Sequence, residues 1–286
     1  MGAGLRVYKE DGSLVLNTDY IAYGLLKSGY MTYQAEWPRL GFRSANLNPN
    51  DPSSYSETSI RDHIYGFTVV DAIAPIVFIS GLGSACGVNV VGNQTTFYYI
   101  GADSTTKFYY FDTMRQGGSG AGLKCYNPAG QLTFNSLQYP LDVDYVLQPP
   151  PPYNYIPTHQ TWGMPYTGGV KSVRTAGAFG PVNVFVKVTT PLPAGSYAAS
   201  LTFSRGIGMG YIDSGPVLYM NSSSMQEGAG GVANGVQFIF CIAARPAEVS
   251  AGFGGGTRAN TFYNIPTDRY PTALVIRTDS LPFPYN

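Results

Sequence analysis

The sequence predicts an all-β protein, made of β-sandwich-like domains with an internally repeated β-hairpin motif and long Gly/Pro-rich loops. Three observations carry that expectation. Tyrosine (23), glycine (35) and proline (21) are all abundant in 286 residues. Tyrosine suits the half-buried pleated surface of a strand, while glycine and proline punctuate turns. Apolar residues recur in short runs with period two, as in residues 141–147, 182–189 and 196–204. One Gly-rich unit occurs twice.

Residues 2–18 read GAGLRVYKEDGSLVLNT and residues 120–136 read GAGLKCYNPAGQLTFNS, an offset of 118 (120 − 2). Within the two copies Gly4/Gly122, Leu5/Leu123, Tyr8/Tyr126, Gly12/Gly130, Leu14/Leu132 and Asn17/Asn135 are identical. Each copy reads as an incoming strand, a four-residue turn and an alternating return strand. Gly12 and Gly130 fall where such a turn needs a positive φ.

After the first copy, residues 21–33 are ambiguous between one helical turn and a strand. Residues 44–59, dense in Asn, Pro and Ser, read as a surface loop. Strands are expected over 65–73 and 76–80, with Pro75 between them, and over 88–91 and 95–100 as a hairpin about Gly92-Asn93. Lys107–Phe111 is a strongly β-prone aromatic run. The following MRQGGSG reads as a flexible hinge. It sets the expected boundary between an N-terminal β domain, 1–118, and a C-terminal β domain, 119–286. The latter holds a Pro-rich connector at 148–157, in which Pro149–Pro152 enforce polyproline II geometry. Tyr153 and Tyr155 are expected to pack on those prolines. Beyond it, 191–195 reads as a turn, 221–235 and 252–260 as glycine-rich loops, 235–243 as a buried strand and 273–277 as a last strand. Weaker echoes, APIVFI at 74–79 with PVNVFV at 181–186, raise a duplication of the halves.

Charge narrows the function classes. Charged residues are 12% of the chain, against about 25% in ordinary domains. Lys plus Arg (17) equals Asp plus Glu (17), so the basic excess of a nucleic-acid binder is missing. Cys86, Cys125 and Cys241 are scattered and read as buried thiols. No signal peptide or membrane-spanning run is evident, so synthesis in the cytoplasm without membrane insertion is expected.

No catalytic set emerges, and neither cofactor nor metal is expected. The two histidines, His63 and His159, have no nucleophile elbow or ligand spacing around them. Asp142 and Asp144 share one face of an expected strand, the solvated edge of a sheet or the start of a carboxylate pair. Trp162, in HQTWGMPY, is the best single candidate for a surface-binding aromatic, with burial as the alternative.

The segment Gly-Leu-x-x-Tyr-Asn-x-x-Gly-x-Leu-x-Phe-Asn-Ser at 122–136 resembles segments in tail-tip, baseplate and tail-fibre-associated proteins of tailed bacteriophages. In that family it follows a Phe/Tyr-rich strand ending in Phe-Asp, as Tyr109-Tyr110-Phe111-Asp112 does here. The opening MGAGLRVYKEDG is similar to the start of such proteins. The resemblance extends to about Tyr145. Cys125 and Asn135 depart from it, a small aliphatic residue and Asp being commoner there. It implies a non-enzymatic structural component of a virion, at the tail tip, baseplate or fibre attachment point. Such a protein would form homo-oligomers, contact other virion proteins and a host cell-surface receptor, and carry no catalytic residues. A receptor- or glycan-binding module is the main alternative, and a head decoration protein or a depolymerase the remaining ones.

Overall fold

The computed structural model describes residues 6–8, 10–12, 14–17, 20–44, 46–48, 50–157, 160–175, 182–212, 219–245, 247–252 and 261–286. His159, Gly4, Leu5 and most of the 252–260 loop lie outside them. Apart from a short 3-10 turn at Pro52–Ser54, the regular structure among the described residues is all strand.

In chain order the strands are β1 Arg6–Tyr8, β2 Leu14–Asn17, β3 Tyr23–Tyr30, β4 Thr32–Phe42, β5 Tyr55–Val70, β6 Ile76–Ser80 and β7 Ser84–Val91. Then come β8 Gln94–Ile100, β9 Lys107–Thr113, β10 Lys124–Tyr126, β11 Leu132–Asn135, β12 Tyr145–Leu147, β13 Tyr153–Ile156 and β14 Thr161–Met164. The last are β15 Val170–Thr175, β16 Val182–Leu201, β17 Gly206–Ile212, β18 Tyr219–Ile242, β19 Ala247–Gly252, β20 Thr261–Tyr263 and β21 Ala273–Arg277.

One sheet runs β12-β21-β16-β6-β9-β3. A second runs β7-β8-β5-β4-β19-β18-β17-β20-β14-β13. Long β16 and β18 pair with each other and tie the two together, with β15 on the outer side of β16. The result is the expected all-β, sandwich-like arrangement of packed antiparallel sheets.

The aromatic strand β9 explains much of the packing. Phe108 and Tyr110 point to one face, where Phe67 stacks on Phe108 with ring centroids 3.7 Å apart and Phe97 and Tyr99 of β8 close the layer. Tyr109 and Phe111 point to the other, against Leu25, Phe78, Ala198 and Ile276, with Leu281, Phe283 and Tyr285 folded over them. A strand buried on both faces needs an unbroken apolar run, and KFYYF supplies one. This second cluster joins residues from before and after residue 118, as does the cluster of Ile64 and Ile100 with Phe185, Ile239 and Cys241.

Several elements differ from the expectation. Within residues 21–33 the chain is strand from Tyr23 to Tyr30 and again from Thr32, so β3 leads almost directly into β4. β5 begins at Tyr55, inside the expected loop, because Tyr55, Ser56 and Glu57 pair with Phe42, Gly41 and Leu40. The ribbon there is solvated, so its residues are polar. Pro191–Gly195 does not reverse the chain. β16 pairs with β18 in the same direction on both sides of it, from Pro191↔Gly235 to Ser196↔Ala233, so the extra residues bulge out of one long strand. Only Tyr145–Leu147 of the expected 141–147 strand is a strand.

The largest difference is β18, a single strand through 221–235, which reads as a loop. Its glycines are there for proximity. A Cβ on Gly228 or Gly230 would run into the carbonyl oxygens of Gly83 and Gly81, and one on Gly231 into the carbonyl of Tyr197. The backbones touch, with Gly81 N donating to Gly231 O at 2.9 Å. Replacing Gly231 by Ala must push two main chains apart, a strain of about 3 kcal/mol or more. At Gly206, where the nearest atom to a new Cβ is 4.0 Å away, the same change should cost under about 1 kcal/mol. Urea unfolding midpoints of the two variants should separate accordingly.

Candidate functional site

The repeated motif folds the same way twice. β1 and β2 pair as Arg6↔Asn17, Val7↔Leu16 and Tyr8↔Leu14; β10 and β11 pair as Lys124↔Asn135, Cys125↔Phe134 and Tyr126↔Leu132. Every pair is its counterpart shifted by 118, and the register slips at the same step in both. Gly12 and Gly130 have φ of 82° and 77°, the left-handed conformation their turn requires. Each hairpin is a two-stranded sheet separate from the main network.

The second hairpin is seated on the body through its return strand. Thr133 and Asn135 are fully buried. Ala22 N donates to Thr133 O at 2.8 Å. The Asn135 side-chain amide donates to the carbonyls of Arg115 and Gly117, both at 2.8 Å, while its Oδ1 accepts from Leu137 N at 3.1 Å. Leu137 closes over Gly118 and Gly122, where any side chain would collide with it. Lys124 Nζ and the Tyr126 hydroxyl reach Gln116. The stretch that reads as a flexible hinge is therefore tied down residue by residue. Leu123 and Tyr126 are about half exposed, and so are Val7 and Tyr8 in the first hairpin.

The remaining sequence candidates scatter. His63 lies on the β4–β5 ribbon, its Nε2 3.1 Å from Glu36 Oε1 and its ring edge-on to Tyr33. Trp162 is partly buried against the C-terminal core, with its cross-strand neighbour Tyr155 tilted beside it, ring centroids 4.8 Å apart. Thus Tyr155 packs on Trp162, and Tyr153 is exposed. Pro149 and Pro152 of the connector are buried. Burial pushes the Cys86 thiol up to about 12, so it stays protonated at neutral pH, and Cys241 is fully buried. Among the described residues no three His, Cys, Asp or Glu side chains gather as a metal-binding group.

The fold also buries ionic groups whose partners were not legible in the sequence. Arg205 holds Glu227 in a two-pronged pair at 2.7 and 2.8 Å, Tyr166 Oη donates to the same carboxylate at 2.7 Å, and the guanidinium lies 4.7 Å from the Tyr270 ring centroid. Burial and the Glu227 charge raise the Tyr166 phenol well above its ordinary range. Every member is satisfied within the protein, the pattern of a structural network. Asp112 likewise accepts from the amides of Ile73, Ala74 and Thr113 and from Tyr110 Oη.

One pocket gathers unlike groups. About 290 Å³ in volume, it lies where residues 139–144 meet β21 and the chain after it, with Phe111 of β9 beneath. Tyr139, Asp142, Asp144, Arg277 and Ser280 line it with apolar Phe111, Pro140, Ile276 and Leu281. Asp144 Oδ2 accepts from Arg277 N at 2.7 Å. So the structure does bring Asp142 and Asp144 to one place, but ahead of a strand rather than along its face.

No family model, curated protein or solved structure matches this chain.

Two outcomes follow from this geometry. Replacing Asn135 by Leu removes the side-chain partner of the Arg115 and Gly117 carbonyls and of the Leu137 amide and should cost about 1–3 kcal/mol in denaturant unfolding. Asp112 is subject to burial, which raises its carboxyl, but the four hydrogen bonds outweigh this and hold it below its ordinary value. Its folded value being depressed, its contribution is complete above the unfolded value, about 4, and is lost as pH falls through the lower folded value. The acid limb of a stability-versus-pH curve should be shallower in Asp112→Asn than in the parent protein.

Proposed function

We propose that this chain is a structural component of a tailed-phage particle, placed at the tail tip, baseplate or a fibre attachment point, and that it works through contacts between subunits. The observation that carries the reading is the hairpin used twice in one register, each copy standing outside the main sheets with exposed apolar residues. It bears the segment whose sequence resembles tail-associated proteins. A seated copy, held by Asn135 and Leu137, shows how such a hairpin fastens to a neighbouring strand end. Low charge fits a surface covered by other subunits. The edge strand β7 supports the same reading. Val88, Val90 and Val91 are more than half exposed, and its outer edge lacks the charged or proline residues that usually block strand pairing between chains.

Antibody labelling of intact particles, viewed by electron microscopy, tests this. Label at the tail end is the expected result, and the purified chain should sediment as an oligomer or join tail proteins on co-expression. A compact monomer that labels no part of the particle would overturn the reading.

A further inference from the structure

The inner face of the β5-β8-β7 sheet runs out to a strand that nothing covers. Directly opposed residues of an antiparallel pair share a face. Phe67, Phe97 and Val88 therefore form one row across the three strands, and Val69, Thr95 and Val90 the next. Exposure along the first row goes from 4% at Phe67 and 8% at Phe97 to 58% at Val88, and along the second from 6% at Val69 and 7% at Thr95 to 64% at Val90. Two valines thus continue a core row into solvent.

The outer edge of β7 is equally bare. Among the described residues β7 pairs with β8 alone. Its first residues are occupied: Ser84 Oγ donates to Glu227 O at 2.5 Å, and Gln226 Nε2 donates to Ala85 O. Residues 87–91 are all exposed. Alternate residues there direct their N–H and C=O groups away from β8. The partner that satisfies such an edge is another β-strand.

Charge and side-chain order select a second copy of this chain as that strand. Identical chains carry identical charges, so a charged edge repels its own copy. Residues 72–102, which include all of β7 and β8, contain no Asp, Glu, Lys, Arg or His. The order of side chains is self-complementary as well. In a two-fold antiparallel pair centred on Asn89, Val88 of each copy opposes Val90 of the other and Asn89 opposes Asn89. Four valines then meet on the inner face, where they cover one another. On the outer face two amides meet, each a donor and an acceptor, and the exposed Asn89 side chain makes no hydrogen bond to the described residues. A centre on Val90 would instead set Asn89 against Val91. We propose that this chain self-associates through β7, two copies pairing antiparallel about a two-fold axis at Asn89, so that β4-β5-β8-β7 and the same strands of the second copy form one sheet. This rests on the assembly reading and names a subunit contact for it.

Sedimentation of the full chain at rising concentration tests it. So short a contact belongs to the small, reversible class of interfaces, under about 1,200 Å², and a dimer is expected at about 0.1 mM chain. Asn89→Lys and Asn89→Asp each set like charges directly opposite one another across the axis, and each alone should weaken the dimer about tenfold. An equimolar mixture of the two variants should recover it, since opposite charges then face each other. Val146→Lys, at an equally exposed valine on β12, should leave the dimer unchanged. Both sites are exposed, so urea unfolding midpoints of all variants should match the parent and certify the fold. A parent chain that stays monomeric to about 1 mM, an oligomer untouched by both Asn89 variants, loss of the dimer in Val146→Lys, or a mixture that fails to recover it would each overturn the pairing. Labelling of the tail does not depend on which strands pair, so failure here leaves the assembly role standing. A dimer that behaves as expected in a chain that labels no part of the particle overturns that role alone.

Discussion

The contact between the β18 backbone and residues 81–84 is the constraint on which the rest of the molecule depends. Three glycines let a long strand lie against three carbonyls, and nothing bulkier fits. Gly81 N and Ser84 Oγ then bond to Gly231 O and Glu227 O at 2.9 and 2.5 Å. From that crossing β18 reaches outward in two directions. One end pairs with β17 and β19, and through β19 with β4. The other pairs with β16 and carries Ile239 and Cys241 into the cluster that also holds Ile64 and Ile100. Beside that crossing the β17–β18 ladder sets Glu227 opposite Arg205, with Glu227 N donating to Arg205 O at 2.9 Å, so the buried ion pair follows from main-chain pairing. Removing one partner of such a pair strands a charge in the core, which makes the crossing doubly specified.

This contact also marks the limit of what the sequence disclosed. Short β-prone runs identified β9, β21 and the β7–β8 hairpin, because each stands between turn residues. Glycine carries two meanings, slack and proximity, and only tertiary structure separates them. Gly228, Gly230 and Gly231 therefore read as a loop while standing in a strand. The first residues of β5 failed for a related reason: Tyr55–Glu57 are held by β4 and show no pattern of their own. At the pocket, Asp142 and Asp144 were visible as neighbours in sequence. Tyr139, Arg277 and Ser280 were not, since a pocket built from segments more than a hundred residues apart leaves no local signal.

The two hairpins show what a short repeat can specify alone. An isolated two-stranded hairpin is marginal in water, so identical register in both copies argues that the turn chemistry sets the pairing and the surroundings supply the stability. In the second copy Asn135, itself buried, does this by bonding the carbonyls of Arg115 and Gly117 and the amide of Leu137. Asn135 is thus the point where a portable local structure is converted into a fixed one. Its counterpart Asn17 stands at the same register position.

The distribution of charge completes the physical case. The chain has few charged residues, and Arg39, Asp62, Asp112, Arg205 and Glu227 are all buried. Arg39 and Asp62 form a two-pronged pair inside the β4–β5 ribbon, both distances 2.8 Å. What remains for the surface is sparse, whereas Tyr20, Ile73, Val90, Val91 and Tyr153 are each 60% exposed or more. A freely diffusing domain gains solubility from surface charge and keeps such side chains apart. A subunit destined for burial among neighbours has the opposite requirement, since each surface charge left without a partner costs desolvation on assembly. Charge used inward and aromatic or branched residues turned outward fit the second requirement, the one that the proposed assembly role imposes.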